Sequence, residues 1–149
     1  MRNRRYFAKL NAPQTVKLVA ETGAVTIKAS AGEGEAKTPP TFAGVAYSGG
    51  IVSRSTLSQK LDADYIIDLS GMTYSKGAKA NLDHKSTQRV GHLTDVHNNG
   101  KQVEVQGVLS AATPYRDEVA ASAADGFGWD VSIEASLTKP RKLAAGKTE

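Results

Sequence analysis

Three histidines, His84, His92 and His97, and a complete lack of cysteine set the limits of what this chain can do chemically. Without thiols there is no disulfide, no cysteine nucleophile and no thiolate metal site. A zinc site would need most of the three histidines plus a carboxylate, and no H-x-x-x-H spacing occurs. No P-loop or G-x-G-x-x-G pattern occurs either, so nucleotide chemistry has no support. A serine hydroxyl is a weak nucleophile and needs a base within hydrogen-bond reach. An imidazole is suited to that work because it ionises near neutrality.

Two segments bring such residues forward. Leu82-Asp83-His84 ends in a histidine, and Trp129-Asp130-Val131-Ser132-Ile133-Glu134-Ala135 centres on a serine. The second segment reads as a strand. Val131 and Ile133 would face one side, with Asp130, Ser132 and Glu134 on the other. Such a strand holds a nucleophile rigidly while its apolar neighbours anchor it. His92, between Gly91 and Leu93, is the rival base. His97 adjoins Asn98-Asn99-Gly100 and reads as exposed. Each residue also has a plain structural reading: a polar strand serine, a solvated loop histidine, a packed or surface histidine.

The elements that must position these residues are mostly strands. Segments 16–20 and 24–28 alternate around Thr22-Gly23 and read as a hairpin. Residues 30–40, rich in Gly, Glu, Lys and Pro, read as an exposed, poorly ordered linker. The domain organisation expected is therefore an N-terminal extension over 1–40 and a compact domain over 41–149. Within it, 42–47 and 63–69 read as strands, the latter buried on both faces through Tyr65-Ile66-Ile67. Residues 90–96 and 102–109 read as two strands joined at Asn98-Asn99-Gly100, because Asn-Gly supplies the positive φ angles of a tight hairpin turn. One helix is well marked. Thr113 is a good N-cap and Pro114 suits the first helical position. Asp117 and Glu118 favour the helix dipole, the Ala-rich 120–124 has high propensity, and Gly126 is the stop. A further strand starts near Trp129. The fold class expected is β-rich α+β, with a mixed or antiparallel barrel-like sheet and few helices.

A chain of 149 residues can bury a real core. Its 40% apolar and 23% charged residues are ordinary for a globular domain. No run approaches the roughly eighteen apolar residues of a membrane span. Met1-Arg2-Asn3-Arg4-Arg5 is basic, but Phe7-Ala8 gives way at once to Lys9, so no signal-peptide core follows. A cytoplasmic product is the expectation. The net charge of +4 is split between the two ends of the chain, which reads as solvated termini. Aromatic residues do not interleave with the basic ones, so nucleic-acid binding has little support.

The order of motifs over 42–135 resembles the prohead (procapsid) proteases of tailed phages, HK97-type enzymes that share the herpesvirus assemblin fold. The resemblance rests on Ala46-Tyr47-Ser48-Gly49-Gly50, Ile67-Asp68-Leu69-Ser70-Gly71, Leu82-Asp83-His84 and Val90-Gly91-His92. It continues through Gly107-Val108-Leu109-Ser110 and Asp125-Gly126-Phe127-Gly128-Trp129 into Ser132. Each motif alone is weak; their order and spacing carry the resemblance. It implies an assemblin-like fold and a serine endopeptidase of capsid maturation, with Ser132 as nucleophile and His84 as general base. It further implies acyl-enzyme chemistry without cofactor or metal. The implied substrates are extensions of scaffold and major capsid protein, and the enzyme itself, inside the procapsid in the cytoplasm of a bacterial host. Self-association is compatible with that setting.

Members of this family take a third triad residue and oxyanion donors from chain beyond the nucleophile strand. The 14 residues after Ala135 carry no strand-like ending. The chain therefore reads as the N-terminal part of a longer protein, with an incomplete sheet and the third residue beyond Glu149. Glu134 and Asp130 are the weaker candidates, Glu134 being set back because it shares a strand face with Ser132. The competing readings are a catalytically inactive protease-like scaffold or capsid-assembly module, and a small basic nucleic-acid-binding β-domain.

Overall fold

The computed structural model describes residues 23–30, 38–51, 66–75 and 77–134. They form a β-rich α+β unit in which one curled antiparallel sheet, a half-barrel, carries one α-helix. The strands are β1 (Gly23–Lys28), β2 (Thr41–Tyr47), β3 (Lys79–Asn81), β4 (Arg89–Asn98), β5 (Val103–Val108) and β6 (Asp130–Val131). Helix α1 (Pro114–Ala124) lies between β5 and β6 in the chain. The order across the sheet is β3-β4-β5-β2-β1-β6, so β3 and β6 are its two edges.

β5 shows most directly why the sheet has an inner face. Val103, Val105 and Gly107 are buried, while Glu104 and Gln106 are exposed. This is the period-two alternation of a half-buried strand. Phe42, Val90, Leu109 and Val119 form the core beneath α1, and Val25, Ile27, Ala80, Leu82, Leu93, Tyr115 and Trp129 pack around them. Register shifts between β2 and β5, β3 and β4, and β4 and β5 each insert an extra residue on one strand. Such bulges bend the strand and raise the local twist, which is how an open sheet curls.

The helix forms as its sequence dictates. Thr113 Oγ1 accepts the Arg116 N–H at 3.2 Å and donates to the Arg89 carbonyl at 2.5 Å, so the cap also ties α1 to β4. At the other end Gly126 has φ 88°. There the Gly126 N–H donates to Ala123 O at 3.1 Å and the Phe127 N–H to Ser122 O at 2.9 Å. This is the paired bond pattern of a Schellman stop.

Four sequence expectations change. Of the hairpin expected from 16–20 and 24–28, the first arm lies outside the described residues. The second, β1, pairs with β2 and β6, so the sheet begins well before Thr41. The linker expected at 30–40 falls mostly outside the described residues, but Pro40 is buried and its carbonyl accepts the Leu109 N–H at 2.8 Å. The strand expected over 63–69 is not one in its described part. Leu69–Gly71 is a 3-10 turn, because Asp68 Oδ1 accepts from the Ser70 N–H at 3.0 Å and from its hydroxyl at 2.6 Å. Finally, the β4–β5 connection is a four-residue loop in which only Gly100 has positive φ. Asn99 Oδ1 accepts the Lys101 and Gln102 N–H groups, so side-chain bonds do the work expected of a two-residue turn.

Gly91 is where the sheet tolerates no side chain. A Cβ there would overlap the Val108 carbonyl oxygen on β5, a backbone atom that cannot rotate away. Gly91→Ala is expected to destabilise the fold by about 1–3 kcal/mol, the usual cost of overpacking. Urea denaturation measures it, and an unchanged midpoint would refute the close approach.

Candidate active site

His84 and Ser132 come from opposite edges of the sheet. His84 ends the 3-10 turn Leu82–His84 directly after β3, and Ser132 follows directly on β6. The curl of the sheet brings them together, with His84 Nε2 lying 2.6 Å from Ser132 Oγ. With the ring proton on Nδ1, Nε2 accepts the serine hydroxyl proton, which is the relation between a general base and its nucleophile.

The histidine is held by a closed loop. The Leu82 N–H donates to Gln88 O at 2.9 Å, Lys85 N–H to Leu82 O at 2.9 Å, and Gln88 N–H to Lys85 O at 2.8 Å. Leu82 packs against the core and anchors this loop. The reversal inside it falls on Asp83 (φ 49°, ψ 32°) and His84 (φ 55°), the only non-glycine residues with positive φ among those described. Asp and His enter this left-handed region more readily than most side chains, and β-branched residues are strongly disfavoured there.

The serine is held by its neighbours. The Trp129 carbonyl accepts the Val25 N–H at 2.9 Å, and its indole N–H donates to Ser122 Oγ on α1 at 3.0 Å. Gly44 on β2 leaves room for Val131, whose Cγ1 would stand 3.0 Å from a Cβ there. Strand β6 ends at Val131, and Val131, Ser132 and Ile133 are all half-buried. The strict alternation expected through Ser132 therefore stops one residue before it.

Glu134, expected to be poorly placed for sharing a face with Ser132, nonetheless stands beside the ring. Glu134 Oε2 lies 3.6 Å from His84 Nδ1, so the imidazole meets Ser132 through one nitrogen and faces Glu134 with the other. The separation is an ion-pair distance and exceeds a hydrogen bond. The two side chains are 21% and 32% exposed, which leaves the pair only partly screened by solvent. Asp130, the other candidate, is exposed and paired opposite Ala24. A third residue beyond Glu149 lies outside the chain.

The rival base has a serine of its own, which the sequence reading did not connect. His92 Nδ1 lies 2.7 Å from Ser110 Oγ, in an exposed pair at the end of β5. Among the described residues no carboxylate pairs with His92. The signal was present in the antiparallel register, which sets His92 opposite Val108, two residues before Ser110. His97 is exposed opposite Glu104. No cluster of three or more His, Asp or Glu suited to a metal occurs among the described residues, and no described helix is long and apolar enough to cross a membrane.

The left-handed backbone before the imidazole gives a test of its rigidity. Asp83→Gly should retain wild-type stability, whereas Asp83→Val should lose about 1–3 kcal/mol. Both variants remove the exposed Asp83–Lys85 pair (3.7 Å), so that pair cancels from the comparison. Equal denaturation midpoints for the two variants would contradict a left-handed Asp83.

Comparison with protein-family models, with curated proteins and with solved structures finds no match to this chain.

Proposed function

We propose that this chain is a serine endopeptidase of the prohead-protease type with an assemblin-like fold. Its role is cleavage of scaffold and capsid-protein extensions during maturation of a phage procapsid in the bacterial cytoplasm. The observation that carries the reading is the 2.6 Å contact between His84 Nε2 and Ser132 Oγ. The resemblance names these two residues from their motifs, and they are 48 positions apart in the chain. The curled antiparallel sheet with a single described α-helix is compatible with the fold the resemblance implies.

The chemistry follows from the pair. His84 Nε2 takes the hydroxyl proton as Ser132 Oγ attacks the peptide carbonyl carbon. The tetrahedral intermediate collapses, the C–N bond breaks, and the amine leaves with the proton returned by His84. An ester joins the acyl half to Ser132. Water then attacks that ester, again giving its proton to His84, and the acid product leaves as the Ser132 hydroxyl is restored.

A fluorophosphonate probe should label Ser132 in the folded chain. Ser132→Ala should abolish labelling, and His84→Ala should slow it by on the order of 10⁴ or more, since members of such a unit fail together. Ser110→Ala should leave it intact. Circular dichroism checks that each variant is folded. A folded wild-type chain that resists the probe would remove the enzymatic reading and leave a protease-like assembly module.

A further inference from the structure

We infer that Glu134 is the carboxylate that orients His84, so that nucleophile, base and acid all lie within this chain. The inference rests on the peptidase reading above and adds to it the one member that the motifs leave unassigned.

Two observations converge on Glu134. The imidazole has two nitrogens and the serine occupies Nε2, so the orienting group must face Nδ1. Glu134 Oε2 faces it at 3.6 Å. Closing to a hydrogen bond of about 2.9 Å requires under an ångström of movement, within the reach of a glutamate side chain with three rotatable torsions. The positive charge that His84 gains as it takes the serine proton pulls the carboxylate the same way. In this role Glu134 accepts the Nδ1–H bond and takes no proton from the ring.

The spacing explains how two residues so close in sequence can serve one ring. Ser132 and Glu134 stand two positions apart just beyond β6, within 2.6 Å of His84 Nε2 and 3.6 Å of its Nδ1 respectively. An imidazole laid alongside that stretch can meet both, one through each nitrogen. The His92–Ser110 pair lacks this second contact: it has a comparable serine distance, 2.7 Å, but no carboxylate partner among the described residues. Glu134 thereby separates a base held in one tautomer from a surface hydrogen bond.

The test uses the full 149-residue chain and the same fluorophosphonate probe, read as the maximal inactivation rate and the probe's half-saturation. Glu134→Gln preserves shape and removes the charge. It should lower the maximal rate by about 10²–10⁴-fold, with the upper end set by loss of a fully buried orienting acid. Half-saturation should change by less than about twofold, because the carboxylate does not touch the probe. Glu134→Asp should recover part of the rate, and Asp130→Asn should match wild type. In proton NMR at low temperature, the downfield Nδ1–H signal of His84 should shift or vanish in Glu134→Gln alone. A Glu134→Gln chain with wild-type rate, beside an inert Ser132→Ala, overturns the role of Glu134 and leaves the peptidase reading standing. Full labelling of Ser132→Ala overturns both.

Discussion

The two edges of the sheet meet across one side-chain hydrogen bond. β3 and β6 stand at opposite ends of the strand order, yet the residues that follow them, His84 and Ser132, touch. This places a strict demand on the curvature between them. Five inter-strand steps must close to a side-chain contact, and the bulges on β2 and β4 are the devices that bend the sheet. The core has the same dependence. Leu82, beside the histidine, and Trp129, three residues before the serine, both pack around the Phe42, Val90, Leu109 and Val119 cluster. The segments that carry the pair are thus anchored in the same cluster.

Much of this was legible locally. Thr113, Pro114 and Gly126 mark the helix because each satisfies or ends a specific backbone requirement, and those requirements are met within a few residues. The alternation of Val103, Val105 and Gly107 revealed β5 for the same reason. The failures are non-local. Nothing in 24–28 says that its partner is β2, nineteen positions on in the ladder between Val25 and Gly44 and farther still for β6. Segment 66–69 carries apolar residues, but Asp68 and Ser70 close a local turn that competes with pairing.

The site divides in the same way. The motifs that carry the resemblance named His84 and Ser132, and only the fold could bring them within 2.6 Å. Glu134 stands 3.6 Å from the ring's other nitrogen, a proximity that its place two residues after Ser132 does not reveal. His92 and Ser110 make a serine–histidine contact of nearly equal length, in an exposed pair with no carboxylate partner among the described residues.

Asp83 and His84 hold consecutive left-handed conformations, and this restricts the route by which the sequence can vary. A point change at most surface loops explores nineteen alternatives with small penalties. At Asp83 the accessible set contracts to the few residues that tolerate this region, chiefly glycine, asparagine and aspartate. The loop is then conformationally expensive to form and equally expensive to reshape. Drift there is channelled along a narrow set of neighbours, and a lineage that leaves that set loses the geometry of the imidazole before it loses the imidazole itself.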